Sequence, residues 1–396
     1  MNLENPVDIL QKLIQCPSVT PDEGGALTLL QHIGEDLGFK VERPIFTADN
    51  TPDIENLYAR FGSGGRHLMF AGHTDVVPTG DEAAWSHPPF AANITDNILY
   101  GRGAVDMKGG IACFIAAFAR FINKQPKDKP FKESVSLLIT GDEEGSAING
   151  TVKLLEWAKN KGETWDSALV GEPTNPNFLG EMIKNGRRGS LSAIVTISGQ
   201  QGHVAYPHLA NNPLPFLLQL AQSLIATPLD KGTEQFQPSN LELTTIDTDN
   251  NATNIIAGKA SFRFNIRFND CWTVDSLKAE ILSRLEKAAN KFANNDEQKI
   301  CNYNITWLAN PADVFITHDE ILINSLNSAI KKVTGNEAKL STSGGTSDAR
   351  FIKNYCPVVE FGLVGQTMHK IDECVNLIDV EHLTQIYEKF LDAFFA

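Results

Sequence analysis

The runs "RHLMFAGHTDVV" (66–77), "SVSLLIT" (134–140) and "SALVGEPT" (167–174) are short, largely apolar and of strand length. A strand that is apolar on both sides must be covered on both sides, as happens in parallel or mixed sheets flanked by helices. Between these runs lie "GGIACFIAAFARFINK" (109–124) and "NGTVKLLEWAKNKG" (149–162), whose apolar residues recur at three and four. Strand and helix in alternation predict an α/β domain with helices on both faces of a mixed sheet. Each run also stops at a histidine or an acid. The stretch "SLLITGDEEGS" ends on Asp142, Glu143 and Glu144, three acids that repel one another.

Helical periodicity also marks "NPVDILQKLIQ", "GGALTLLQHIGEDLGF", "DEILINSLNSAIKKVTG" and "DVEHLTQIYEKFLDAFF", and "CPVVEFGL" reads as a further strand. The texture changes near residue 186. "RRGSLSAIVTISGQQGH" and "ASFRFNIRF" alternate apolar and polar residues, as half-exposed antiparallel strands do. They are followed by the helices "NPLPFLLQLAQSLIATP" and "TVDSLKAEILSRLEKAANKF" respectively. The expected organisation is a first catalytic part over 1–185, an inserted α+β domain over 186–308 and a second catalytic part over 309–396. A chain of 396 residues is long enough for two domains.

The formal charge of −14 argues against nucleic acid and anionic membrane surfaces as partners. The longest apolar helical run, 111–119, is too short to span a bilayer. "MNLENPVDIL" has neither a basic nor an apolar leader segment, and the six scattered cysteines form no C-x-x-C pair. Reduced, mostly buried thiols and a cytoplasmic location are expected.

In an open α/β sheet, ligands gather at the carboxyl ends of the strands. Reading past each run yields His73 and Asp75, then Asp106 before a Gly-Gly helix start, Glu143 and Glu144, Glu172, and His369. Taken singly, each is an ordinary turn or cap residue. Together, imidazoles and carboxylates without cysteine suit zinc, cobalt or manganese in a hydrolytic site. His73 and Asp75 are two apart and project to one side of an extended strand, so Asp75 can orient His73. Asp142 is left as a solvated turn acid. Arg187 and Arg267 can fork onto carboxylates, and the loop "TSGGTSD" can present N–H groups to an anion. There is no G-x-S-x-G elbow, no H-E-x-x-H and no nucleotide-binding glycine fingerprint.

The ordered series "GHTDVVP", "GRGAVDMKGG", "TGDEEG", "VGEPT", "GQQGHVAYPH", "STSGGTSDARF" and "MHKIDE" resembles the M20 family of co-catalytic metallopeptidases and amidohydrolases across nearly the whole chain. The resemblance implies a zinc-exopeptidase-like catalytic domain with an inserted lid and dimerisation domain. It implies two Zn2+ per subunit, with Co2+ able to substitute. One zinc would sit on His73 and Glu172, the other on Glu144 and His369, with Asp106 bridging. Glu143 would be the general base and Asp75 the acid that orients His73. His203 would reach the partner subunit's reacting carbonyl in a homodimer. Lys184, Arg187, Tyr206, Asn254, Arg267 and Thr346 would meet the carboxylates of a small di-acidic amide. Gly365 and Ala349 stand where resembling sequences carry Asn and Gly. The same zinc site would serve a deacylase or a peptidase. A non-catalytic binding relative would lack a ligand or Glu143, and all are present.

Overall fold

The computed structural model describes residues 1–126, 131–294, 301–309 and 311–396. They form two compact units, Met1–Asn185 with Thr317–Ser341 and Ser347–Ala396, and Gly186–Ile316 with Thr342–Thr346.

The first unit is built on an eight-stranded mixed sheet. Its strands run in the order Lys40–Glu42, Leu57–Phe61, Ser134–Thr140, His67–His73, Ser167–Val170, Val358–Glu360, Met182–Lys184 and Lys339–Ser341. The four central strands, from 134–140 to 358–360, are mutually parallel, so their carboxyl ends share one edge. Every residue of strands 67–73, 134–140 and 167–170 is buried. That follows from helices covering both faces of the centre of the sheet.

Three α-helices of this unit start at a side-chain cap. Asn5 accepts from the N–H of Val7 ahead of Pro6–Ile14, Asp319 from Leu322 ahead of Glu320–Thr334, and Asn376 from Ile378 ahead of Leu377–Phe394. The helix Glu320–Thr334 ends at Gly335, whose φ of +78° is the left-handed stop glycine allows. Helix Lys108–Asn123 is almost wholly buried, because it packs between Pro6–Ile14 and Leu377–Phe394. Gly110 makes this possible: a Cβ there would stand 2.3 Å from the carbonyl oxygen of Gly171. The helix start therefore lies directly against the chain entering Glu172.

The second unit is a four-stranded antiparallel sheet, ordered Asn240–Asp247, Lys259–Phe268, Gly189–Ser198 and Asn302–Trp307. Helices Leu214–Ile225 and Val274–Ala293 supply Phe216, Leu220, Ile281 and Leu285 to the same core as Val195, Phe262 and Phe264. Thr273 and Ser276 close the second helix with a reciprocal capping box. The alternating burial along 189–198 and 259–268 matches the apolar–polar reading. The outer strands 240–247 and 302–307 do not stand out in sequence, since "NLELTTID" and "NYNITW" carry few core residues.

All six cysteines are free thiols, with Cys271 exposed rather than buried. Among the described residues no helix is long and apolar enough to cross a membrane.

Candidate metal centre

His73 is the last residue of the strand His67–His73 and is buried. Its Nδ1 lies 2.8 Å from the carbonyl oxygen of Asp75, which turns Nε2 towards Asp106 Oδ1 at 3.2 Å and Glu172 Oε1 at 3.7 Å. The other oxygen of Asp106 is 3.3 Å from His369 Nε2. One carboxylate thus spans two imidazoles with one oxygen for each. His369 Nε2 also lies 2.7 Å from Glu144 Oε1. Atoms of His73, Asp106 and Glu144 lie within 4.8 Å of one another, and so do atoms of His73, Glu143 and Glu172. Glu143 therefore stands at ligand distance as well as beside the cluster.

Asp75 has a second task. Its two oxygens accept the backbone N–H groups of Glu143 at 3.2 Å and Glu144 at 3.0 Å. The acid two residues after His73 so pins the turn that carries both glutamates. His369 has a φ of +60°, a left-handed conformation that costs a non-glycine residue about 1–3 kcal/mol and persists where its surroundings impose it.

The electrostatics are those of crowded, buried charge. Burial pushes Asp75 up to about 6, against the pull of His73 and the two N–H groups. Burial likewise holds Glu143 well above the usual carboxylate range, with Asp348, Glu144 and Asp106 adding to it and His73 opposing. Glu172 is raised by burial and then by Asp106. Hydrogen bonding to Asp106 and Glu144 lifts His369 to about 10. Burial lowers His73, but Asp106, Glu172, Glu143 and Asp75 outweigh it and hold the imidazole well above its usual value. Asp106 is held low because the two histidines outweigh its burial. Converging carboxylates and imidazole nitrogens, with no thiolate among them, are a donor set that fits divalent zinc. Cations there would offset the mutual repulsion of the acids.

Asp142 departs from the expected solvated turn acid. It is 2% exposed, and its Oδ2 accepts the N–H groups of Ile148 at 2.9 Å and Asn149 at 3.0 Å. The loop folds back over it, which a reading of neighbouring residues alone does not reveal. Asp142→Ala is expected to destabilise the protein by about 3 kcal/mol, because two N–H groups lose their acceptor. Asp142→Asn keeps an acceptor oxygen and should stay within about 1 kcal/mol of the wild type. Urea denaturation of the two variants checks this; equal, small losses would mean that solvent replaces the carboxylate.

The remaining sequence candidates fall into separate groups. Lys184 ends a strand of the first unit, is buried, and its Nζ lies 3.4 Å from Ser341 Oγ. In the second unit Arg187 donates to the carbonyl oxygen of Ser343 at 3.3 Å, in the loop that carries Thr346. Arg267 lies in register with Ser190 and Asn240. His203, Tyr206 and Asn254 come together: the two rings are 5.8 Å apart, and Val204 donates to the carbonyl oxygen of Asn254. Two residues of the first unit escaped the sequence reading, Arg102 and Glu373. Glu373 lies in "MHKIDE", but nothing local distinguishes it from a surface acid.

A model of peptidase family M20/M25/M40 matches residues 69–393. Among solved structures, the chain is similar to an M20 family metallo-carboxypeptidase, Sso-CP2, from Sulfolobus solfataricus. Identity is 18%, the TM-score is 0.78, and the match covers 98% of this chain and 99% of that one. It is also similar to the dipeptidase Dug1p from Saccharomyces cerevisiae, at 17% identity and a TM-score of 0.75 over 98% of this chain and 95% of that one. Human carnosine dipeptidase 1 matches at 19% identity and a TM-score of 0.75, over 98% and 96% of the two chains. At these identities the three likenesses show a shared fold.

Proposed function

Given that the chain belongs to peptidase family M20/M25/M40, we propose that it is a di-zinc amide hydrolase that removes succinate from N-succinyl-L,L-2,6-diaminopimelate, releasing L,L-diaminopimelate for lysine biosynthesis. Enzymes of this family typically depend on two metals. The observation that carries the reading is the Asp106 carboxylate, whose oxygens stand 3.2 Å from His73 and 3.3 Å from His369. His73 and Glu172 would hold one zinc, Glu144 and His369 the other, and Asp106 both; cobalt would substitute. Bound zinc would supply Lewis acidity and lower the pKa of a water molecule from about 15.7 to about 7.

Glu143 takes the proton of the attacking water and later delivers it to the leaving amine nitrogen. Asp75 holds Glu143 and Glu144 in register through their N–H groups. The gene product is read as a cytoplasmic homodimer in which the 186–308 domain acts as lid and dimer interface. His203 would donate to the oxyanion in the partner subunit's site. The succinyl and diaminopimelate carboxylates would meet Lys184, Arg187, Tyr206, Asn254, Arg267 and Thr346, with the two arginines binding bidentately.

Because Dug1p and carnosine dipeptidase 1 are dipeptidases by name, a peptidase is the second reading. The same cluster would serve either activity, or that of a sister deacylase such as acetylornithine deacetylase. The motifs "STSGGTSDARF" and "RRGS" favour the desuccinylase. Values of kcat/KM for succinyl-diaminopimelate, acetylornithine and a dipeptide on zinc-loaded protein decide among them. The first should lead by about 10⁴-fold, the scale set by leaving buried polar groups without their partner. A dipeptide turned over faster would replace the desuccinylase with the peptidase.

A further inference from the structure

One buried ion pair sends its hydrogen bonds to the loops of two candidate ligands, Asp106 and His369, and to the segment that follows a third, His73. Glu373 and Arg102 are 1% and 3% exposed at their side chains, and Arg102 Nη1 lies 2.9 Å from Glu373 Oε2. The same Oε2 accepts the N–H of Gly103 at 3.1 Å. Oε1 accepts the N–H of Val105 at 2.9 Å and of Asp106 itself at 3.2 Å. The Glu373 carboxylate thus organises the backbone that presents Asp106. The guanidinium works in the other directions. Its Nη1 also donates to the carbonyl oxygen of Lys370 at 3.1 Å, one residue beyond His369. Its Nη2 donates to the carbonyl oxygen of Pro78 at 3.3 Å, on the segment leaving His73 and Asp75. Its face lies 5.1 Å from the ring centre of Trp85, which fixes the plane of the fork.

The His369 loop needs such support. His369 and Asp372 both have left-handed φ values, +60° and +58°. The N–H and hydroxyl of Ser86 hold Asp372, at 2.7 and 2.8 Å. Arg102 holds the loop at the Lys370 carbonyl and at Glu373. Apart from their own ion pair, these bonds all end on backbone beside the ligands rather than on an imidazole or carboxylate of the cluster.

We infer that Arg102 and Glu373 are a positioning pair that sets the spacing of Asp106 and His369, and thereby how tightly the centre holds divalent metal. The inference rests on the metal centre of the proposed function. Partners that orient metal ligands from outside typically change metal affinity by about 10–100-fold when removed.

The test titrates Zn2+ alone into metal-free protein in competition with a chromophoric chelator, alongside circular dichroism and thermal melting without metal. Wild type should bind two equivalents. Glu373→Gln keeps the shape but turns an acceptor into a donor facing N–H groups, and should bind zinc about 10–100-fold more weakly while the metal-free protein stays folded. Glu373→Asp keeps the charge on a shorter arm and should recover part of the loss. If Glu373→Gln does not fold, Arg102→Lys decides in the same way, because it keeps the positive charge and loses the fork to Lys370 and Pro78. A lower melting temperature with wild-type zinc affinity would make the pair a plain structural bridge and overturn the inference, leaving the metal reading intact. Wild-type protein that binds no zinc would remove both.

Discussion

Glu143→Ala should retain two metal ions per chain and lose about 10²–10⁴-fold in kcat, while Glu144→Ala should lose one metal together with activity. Neighbouring side chains cannot both point at one atom, and the structure directs Glu144 to His369, with its Oε1 2.7 Å from Nε2. Glu143 is left to face the side of His73 and Glu172. Its carboxyl is held well above the usual range by burial, with Asp348, Glu144 and Asp106 adding to that. Because Glu143 is itself at ligand distance, metal content is the deciding measurement. Plasma emission spectroscopy on purified variants, with chelator-stripped and zinc-reconstituted wild type as references, gives it directly. Stripped wild type should be inactive and should recover in step with zinc. Glu143→Ala lacking a metal while Glu144→Ala keeps both would exchange the two roles. Wild-type activity in both variants would place the chemistry elsewhere.

The second large effect is a rescue. His203→Ala and Glu143→Ala proteins, each inactive alone, should regain activity when unfolded, mixed and refolded together. In a homodimer where His203 serves the opposite site, one site of each mixed dimer carries both intact residues. Random pairing then restores about a quarter of the wild-type rate. The local structure suits such a role. His203 is exposed, and beside it Val204, Tyr206 and Leu209 are 46%, 56% and 64% exposed. A dimer interface here would cover these exposed apolar side chains. Sedimentation of fully active protein as a monomer, or no rescue from a mixture shown to contain hybrid dimers, would end the dimer reading.

Much of this was legible because it is local chemistry. Apolar runs of strand length imply a covered sheet, and polar residues at their carboxyl ends fall on one edge once the strands are parallel. His73 and the pair Glu143 and Glu144 are at the ends of adjacent parallel strands for that reason.

What only the tertiary structure decided is set by contacts between distant segments. Arg102 and Glu373 are 271 residues apart in sequence, and neither differs from a surface charge until the His369 loop is laid over the Asp106 loop. Asp142 became a buried acceptor because residues 146–149 turn back onto it. Asp106 lies between two histidines because one is on the strand 67–73 and the other on a loop near the end of the chain. The sequence by itself determined which donor types are present and at which edge of the sheet they stand, because residue type and strand direction are local properties. Their spacing, and which acid faces a cation rather than a backbone N–H, came only with the packed fold, because distances between chain-distant groups are fixed by close packing and not by periodicity.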